Sequence, residues 1–359
     1  MRPSRSTRLP TGGYSGRNMV KFAIAGTGRI SDWVLKGALE DPRFKAVAVC
    51  SRSLERAREY ISSHPEAFGP DARAYDSIED MAADPGIDVI YVGTPNTTHL
   101  HYTMVSLMAG KHVLCEKPLG CSVAEVEKMI SASRARGLIL MEAMVSTLNP
   151  NFRKAREAMS KVGTVRSYVS SFCQYSSKYD ALQKGVMASC FDPRVGGGAL
   201  VDVGIYTVFP AVALFGAPEK ISSSVIRYRT PVGETDIQGA LQLEYPGMTA
   251  SLVYSKVADS LVPTEISGEK GSVLMDQIHI CRKVTHISRG APKSLGGTPS
   301  VETVLGEGLG HSEYFYEIEE FINLVERHRR GERVVESSVN THAVSLGTER
   351  IMEAALRSE

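Results

Sequence analysis

The sequence of 359 residues has no long apolar run and almost no excess of charge of either sign. No stretch approaches the roughly 18 consecutive apolar residues that a membrane-spanning helix needs. The 41 basic and 40 acidic residues give a formal net charge of +1, which argues against a broad basic face for nucleic acid or an anionic membrane. A local basic cleft is compatible with this balance of charge. We expect a small-molecule partner and neither a nucleic-acid nor a membrane partner.

Cysteine pairs and metal-binding spacings are also lacking. The six cysteines form no C-x-x-C pair, and none lies beside a histidine in a zinc-like spacing. We therefore expect reduced thiols in a cytoplasmic protein and no metal site. Residues 1–18 are rich in Arg, Ser and Gly and lack the apolar segment of a secretory signal. We interpret them as a disordered extension, with a targeting segment as the alternative.

The length predicts two domains, because a single core rarely exceeds roughly 250–300 residues. Between residues 19 and 143, short apolar runs alternate with helix-like segments, which predicts βαβ units and a doubly wound parallel sheet of the Rossmann type. The predicted strands are Val20–Ala25, Ala46–Cys50, Val89–Val92, His112–Cys115 and Leu138–Met141.

The pattern changes after Asn149-Pro150, and residues 144–359 predict a second, α+β domain. Strand-like runs now follow one another with few helices between them, which favours a large, mostly antiparallel open sheet. Ala199–Leu214 predicts one helix, and Ser288–Gly310 predicts a long loop. The last predicted helix, Val339–Leu356, is a candidate to pack back on the first domain.

A glycine-rich turn, Gly26-Thr27-Gly28-Arg29-Ile30-Ser31, follows the first strand and opens a helix. This arrangement predicts a dinucleotide site, because the glycines let the backbone approach a pyrophosphate at a helix amino terminus. The alternative is a plain structural turn. After the second strand the chain has Ser51-Arg52-Ser53 and no acidic residue, which favours the 2′-phosphate of NADP over NAD. Alternatively, Arg52 is a solvated surface residue.

Two further segments lie at predicted strand ends. Thr94, Pro95, Asn96 and His99 follow the fourth run, where a cofactor contact and a merely capped loop compete as interpretations. Glu116-Lys117-Pro118 follows the fifth run, where an ammonium could exchange a proton with a substrate oxygen or lie in an exposed turn.

Asp202 and Tyr206 follow the glycine run 196–198 and are four residues apart, so a helix would place them on one face. On a largely apolar helix this pair is either catalytic or a structural hydrogen-bonding pair.

Together these motifs resemble the glucose–fructose oxidoreductase, inositol dehydrogenase and rhizopine-catabolism family (Gfo/Idh/MocA) over nearly the whole chain from Met19. The resemblance implies an amino-terminal NAD(P) domain and a second sheet that forms homodimers or homotetramers. It also implies that Lys117 is the main catalytic or substrate-positioning residue. Many members have His where this chain has Tyr206, which resembles the dihydrodiol and xylose dehydrogenase branch and argues against an inositol substrate.

We therefore expect an oxidoreductase that transfers a hydride between a nicotinamide and a hydroxyl or carbonyl carbon of a sugar, polyol or cyclic diol. Tyr206 is the expected proton donor with its pKa lowered by Lys117, and Asp202 orients the substrate; the roles of Tyr206 and Lys117 could be exchanged. The alternative is a non-catalytic, nucleotide-sensing regulator. The candidate cofactor-binding residues are Gly26, Thr27, Gly28, Arg29, Ile30, Ser51, Arg52, Thr94, Pro95, Asn96, His99, Glu116 and Lys117.

Overall fold

Six short strands form one all-parallel sheet in the order β3-β2-β1-β4-β5-β6 in the computed structural model, which describes residues 19–290 and 301–357. The predicted extension at residues 1–18 lies outside the described residues. All four residues of Val89–Val92 are buried, as expected where helices cover both faces of a parallel sheet. The strands are β1 (Val20–Ala25), β2 (Phe44–Cys50), β3 (Phe68–Tyr75), β4 (Val89–Val92), β5 (His112–Glu116) and β6 (Leu140–Ala143).

Five helices connect these strands. Ser53, Ser77 and Ser122 each accept a hydrogen bond from a backbone N–H of the following first turn and so begin three of them. The strand order reverses between β1 and β4, so their carboxyl ends form the crevice where such sheets bind ligands. The helices are α1 (Arg29–Ala38), α2 (Leu54–Ser63), α3 (Ile78–Ala83), α4 (His99–Met108) and α5 (Val123–Arg136).

The second sheet has eight strands in the order β14-β13-β12-β11-β7-β10-β9-β8 and is antiparallel except between β7 and β10. Its strands are β7 (Val165–Cys173), β8 (Lys220–Thr230), β9 (Gly233–Tyr245), β10 (Met248–Ser255), β11 (Thr264–Gly268), β12 (Gly271–Met275), β13 (Lys283–Ser288) and β14 (Val301–Glu307). The predicted fold class, a Rossmann-type sheet joined to an open antiparallel sheet, is confirmed.

The remaining helices cover one face of the second sheet and close the chain. Three of these helices, which begin at residues 150, 205 and 342, contact strands of the second sheet. Leu241, Leu243 and Tyr245 alternate with more exposed neighbours along β9 and point to this covered face. The helices are α6 (Val145–Leu148), α7 (Pro150–Ala158), α8 (Ser177–Gln183), α9 (Ile205–Phe215), α10 (Phe315–Arg329) and α11 (His342–Arg357).

Several elements differ from the predicted ones, and strands β11, β12 and β13 and helix α8 were not predicted. The loop predicted over Ser288–Gly310 contains strand β14, while residues 291–300 lie outside the described part of the chain. The helix predicted over Ala199–Leu214 begins with a π-helical turn, Leu200–Gly204, and becomes α-helical only at Ile205. Strand β3 was not predicted, because Gly69 and Pro70 obscure it; proline is tolerated there because β3 is an edge strand.

The two carboxyl-terminal helices tie the chain together. Phe321 of α10 is fully buried against the first sheet, with its ring centroid 6.1 Å from that of Phe22 in β1. Burying a phenylalanine side chain contributes roughly 1.5–3 kcal/mol. Helix α11 contacts α5 of the first unit as well as α9 and β8 of the second. Helix α10 therefore packs on the first sheet, and α11 links the first unit to the second.

Candidate active site

A cleft of about 1100 Å³ runs from the carboxyl edge of the first sheet to the second sheet. Thirteen of the fifteen candidate residues line it, and only Arg29 and His99 do not. The candidates in the cleft are Gly26, Thr27, Gly28, Ile30, Ser51, Arg52, Thr94, Pro95, Asn96, Glu116, Lys117, Asp202 and Tyr206. The fold thus brings together residues that are up to 180 positions apart in the sequence.

The glycine turn forms one end of the cleft. Gly26 has a φ of +102°, and a Cβ there would collide with the carbonyl oxygen of Gly93. Ser31 occupies the position where the common fingerprint has Gly or Ala, and its hydroxyl donates to the Gly26 carbonyl at 2.9 Å. Helix α1 then begins at Arg29 without a side-chain cap at Gly28. Its first backbone N–H groups therefore remain available to a phosphate.

A basic corner lies beside this turn. Arg52 and Arg56 both line the cleft, and the hydroxyls of Thr27 and Ser51 are 3.3 Å apart. Ser53 is occupied elsewhere, because it accepts the backbone N–H of Arg56 as the cap of α2. The acidic residues that line the cleft are Glu116, Asp202 and Glu313, and none of them comes from the β2–α2 segment. The corner therefore suits a phosphate dianion better than a ribose diol.

His99 lies beneath the cleft and not in it. Its ring is fully buried, with Nδ1 2.8 Å from the Pro118 carbonyl oxygen and Nε2 2.9 Å from that of Thr94. Burial lowers the pKa of His99, so a neutral ring donates to one carbonyl at a time. The structure thus gives no support for direct cofactor contact and instead places His99 between the loop at Thr94 and the loop that carries Lys117.

Lys117 is the first residue after β5, and its side chain crosses the cleft. The ammonium Nζ donates to the Asp202 carbonyl oxygen at 2.8 Å and lies 3.3 Å from Asp202 Oδ1. It also lies 5.0 Å from the centroid of the Tyr206 ring. The predicted trio of Lys117, Asp202 and Tyr206 is therefore a single cluster in the structure.

Behind Lys117 lies a buried carboxyl, Glu116. The Tyr91 hydroxyl donates to its Oε1 at 2.9 Å, and the Lys117 backbone N–H donates to Oε2 at 3.2 Å. Burial raises the pKa of Glu116 to about 7, although the positive charge of Lys117 acts in the opposite direction. A second buried carboxyl, Glu317 of α10, has its pKa raised well above its usual value by burial and by Glu116.

Asp202 is held by the π-helical turn and by a lysine that no motif marks. Lys256, just after β10, donates from Nζ to Asp202 Oδ2, while Lys117 approaches Oδ1. Burial alone would raise the pKa of the Asp202 carboxyl, but the two ammonium groups hold it below its usual value. Asp202 is therefore a carboxylate bracketed by two cations.

Tyr206 does not have the predicted lowered pKa. Burial raises its pKa well above the usual value, and the carboxylates of Glu116 and Asp202 add to the shift. The reason is geometric, since the Lys117 ammonium lies over the ring. The phenol consequently stays protonated at neutral pH and can act only as a proton donor or a hydrogen-bonding group.

An aromatic wall completes the cleft on the side of the second sheet. Phe172 and His279 both line the cleft, and their rings stack with centroids 4.1 Å apart. Tyr206 packs edge-on against Phe172 with centroids 5.4 Å apart. Burial lowers the pKa of His279 to about 4, so its ring is neutral. Motif reasoning missed both wall residues as well as Arg56 and Lys256; only Arg56, one turn into a predicted helix, had a usable signal.

Metal ions have no evident site in the parts of the chain that the structure covers, where no three His, Cys, Asp or Glu side chains are arranged to hold one. Among the same residues, no helix is both long and apolar enough to cross a membrane.

Comparison with known proteins agrees with this geometry. Residues 20–144 match the Gfo/Idh/MocA oxidoreductase family with an NAD-binding Rossmann fold, and residues 152–274 match the carboxyl-terminal domain of the same family. The chain is 38% identical over 337 residues to the scyllo-inositol 2-dehydrogenase (NADP⁺) of Bacillus subtilis, covering 94% of this chain and 96% of that protein. It is 33% identical over 261 residues to human trans-1,2-dihydrobenzene-1,2-diol dehydrogenase, covering 71% and 73%.

A solved structure of another oxidoreductase has the same fold. The aldose–aldose oxidoreductase of Caulobacter crescentus, complexed with glycerol, superposes with a TM-score of 0.77 at 25% identity and covers 94% of this chain and 97% of that one. The Bacillus subtilis relative is named for an inositol, a substrate class that the interpretation of Tyr206 disfavoured. The predicted family and the nicotinamide-dependent enzyme class are confirmed over the regulatory alternative. This chain belongs to the Gfo/Idh/MocA family of nicotinamide-dependent oxidoreductases.

Proposed function

We propose that this protein transfers a hydride reversibly between NADP and a carbon bearing a hydroxyl or carbonyl group of a cyclic polyol, sugar or cyclic diol. The observation that carries the proposal is the position of the cluster of Lys117, Asp202 and Tyr206 in the same cleft as the glycine turn. The named activities of the inositol, dihydrodiol and aldose relatives support this substrate class.

The residues present fit a dinucleotide with a 2′-phosphate. A Cβ on Gly28 would meet no atom within 4 Å, so open space is left there for a pyrophosphate, which the amino terminus of α1 would hold. Arg52, Arg56 and Ser51 would hold the 2′-phosphate. When bound, the nicotinamide would supply or accept the hydride. The NADP dependence of the Bacillus relative supports this choice.

The chain's own groups would manage the charge and the proton on the reacting oxygen. Lys117, held by Asp202, would donate a hydrogen bond to the substrate oxygen and stabilise the negative charge that develops there during reduction. The neutral phenol of Tyr206 would give its proton to that oxygen during reduction. Phe172 and His279 offer flat, neutral surfaces for the apolar faces of a six-membered ring.

A homodimer or homotetramer through the second sheet is part of the proposal. Ile226, Val253 and Val304 lie on the face opposite the covering helices, and each is more than 40% exposed. Exposed apolar residues on an open sheet face are typical of a subunit interface. We also propose a cytoplasmic location, supported by six cysteines that are all free thiols.

The test is a substrate panel with both cofactors, followed through the absorbance of the reduced nicotinamide. Scyllo-inositol, myo-inositol, trans-cyclohexanediol and several aldoses should include at least one substrate with NADP⁺. Lys117→Ala should abolish turnover while the affinity for NADPH, measured by fluorescence, stays within a few-fold. Lys128→Ala, on the exposed face of α5, is the matched control. Native-like turnover of Lys117→Ala would remove the central residue of the mechanism.

A further inference from the structure

Lys256 is a buried lysine of the second sheet whose position is fixed on every side. Its side chain is only 6% exposed, and its ammonium lies 5.2 Å from the centroid of the Phe191 ring. Its backbone N–H donates to Ile237 at 2.9 Å, and its carbonyl accepts from the Ser176 backbone N–H at 2.9 Å. Lys256 also lines the cleft. A lysine so deeply placed is rare unless its charge has a defined partner.

The two lysines do not share Asp202 equally. Lys256 makes the closer approach to the carboxylate, at Oδ2, whereas the shortest contact of Lys117 is to the Asp202 backbone carbonyl at 2.8 Å. The distance from Lys117 to Oδ1 is 3.3 Å, which is long for a charge-assisted hydrogen bond. Lys256 therefore holds one carboxylate oxygen, whereas Lys117 lies closer to the backbone carbonyl oxygen than to the other carboxylate oxygen.

The other titratable groups around the cluster leave its net charge positive. Tyr206 and the Cys190 thiol have raised pKa values and stay neutral. Glu317 is protonated, and Glu116 is only partly ionised near neutral pH. Two ammonium groups thus face one full carboxylate at the place where the reacting oxygen would lie.

We propose that Lys256 is a positioning residue that draws the Asp202 carboxylate away from Lys117, so that the charge of Lys117 remains available to the substrate oxygen. This inference rests on the proposed hydride transfer. Without Lys256, the Asp202 carboxylate would pair with Lys117 alone, and the negative charge that develops during reduction would meet a neutralised ion pair. In the native protein, by contrast, Asp202 can act as an orienting group because Lys256 binds its other carboxylate oxygen.

Steady-state kinetics of five variants, including Asp202→Asn alone, test this role. Lys256→Met should lower kcat about tenfold or more, the usual effect of losing a charge-assisted interaction, with KM changed much less and NADPH affinity unchanged. Lys256→Arg should keep most of the activity, because it keeps the charge. In an Asp202→Asn background, Lys256→Met should have little further effect, since no carboxylate is left to redirect. Lys220→Met, which breaks an exposed pair with Glu244, is the control.

A second measurement does not depend on turnover. Pulse acetylation of the full chain over a range of pH, read by mass spectrometry at Lys117, should require a higher pH in Lys256→Met by about half a pH unit or more, because a carboxylate is gained and a like charge is lost. If no substrate is found for the native protein, the proposed function fails and this measurement still decides the role of Lys256. If Lys256→Met does not fold, Lys256→Gln carries the same expectations.

The inference is overturned if turnover, its pH profile and Lys117 acetylation are all unchanged in the uncharged variant. It is equally overturned if the effects of Lys256→Met and Asp202→Asn on kcat are additive, because independent action would mean that Lys256 contacts the substrate or only supports the fold.

Discussion

Glu349 of helix α11 allows a sharp test of how buried carboxyls beneath the site affect stability. The side chain is 6% exposed, and burial, with further contributions from Glu142 and Glu353, raises its pKa from an ordinary 4.5 to about 8. The perturbation is Glu349→Gln, which keeps the size of the side chain and removes its titration. We expect the variant to be more stable than the native protein at pH 8.5 and close to it at pH 4.5.

The sign follows from proton linkage. Below pH 4.5 the carboxyl is protonated in both the folded and the unfolded chain, so it does not affect the free energy of unfolding. Between pH 4.5 and about 8 the folded chain keeps a proton that the unfolded chain releases, so stability falls as pH rises. Above pH 8 the loss is complete, and the shift corresponds to an upper limit on the order of 5 kcal/mol. Relaxation around the ionised group would reduce this, so we expect a gain of about 1–3 kcal/mol for Glu349→Gln.

The assay is urea unfolding of both proteins at pH 4.5 and 8.5, with Glu219→Gln as an exposed control in the second unit. The difference in free energy of unfolding between Glu349→Gln and the native chain should grow with pH, whereas that of the control should stay constant. An equal difference at both pH values would refute the reasoning, because it would show that Glu349 titrates as it does in the unfolded chain.

Two further predictions concern the cleft. Arg52→Ala should weaken NADP binding about tenfold or more and leave NAD binding nearly unchanged, and Arg56→Ala should act in the same direction. Fluorescence titration with both cofactors measures these affinities. Equal losses of affinity for NADP and NAD would contradict the 2′-phosphate assignment. Tyr206→Phe should lower turnover by roughly 10²–10⁴-fold with normal cofactor binding. Because burial keeps the phenol protonated, the neutral part of the pH–rate profile should not move, and unchanged turnover would make Tyr206 structural.

The first sheet was predictable because its strands are buried on both faces. Val89–Val92 and His112–Glu116 are largely apolar and lack the alternation of half-buried strands, and three of the five helices that connect the strands have serine caps. The second sheet was less predictable. Its strands β11 to β14 are short and half-exposed, and β14 lies in a stretch with three glycines between residues 301 and 310. Pairing with β13 rather than local composition determines that strand.

The site residues also divide into those that the sequence could predict and those that it could not. Gly26, Lys117 and Asp202 lie in motifs with recognisable spacing, and all three line the cleft. Lys256 has no such context, since 54 residues separate it from the carboxylate it binds. Only the tertiary fold brings the end of β10 to the π-helical turn. Long-range polar pairing of this kind leaves no periodic signal in one sequence.

The pKa of Tyr206 shows a different limit of prediction from the sequence. The sequence indicated that a cation would lie near the phenol, and the structure does place Lys117 close to the ring. An opposite charge lowers the pKa of a phenol only if it lies near the oxygen, whereas desolvation and neighbouring carboxylates act on Tyr206 in the opposite direction. Proximity could be inferred from the motif, but the direction of the pKa shift depended mainly on burial of the phenol in the folded protein.

The division of the site between the two halves of the chain has a mechanistic consequence. Lys117 belongs to the first sheet, and its loop is held from below by His99. Asp202 and Lys256 belong to the second unit, and they meet Lys117 only where the two sheets face each other. The cluster is therefore complete only when the two halves are packed together as they are here. Helix α11 contacts both halves, so its packing contributes to holding Lys117 and Asp202 together.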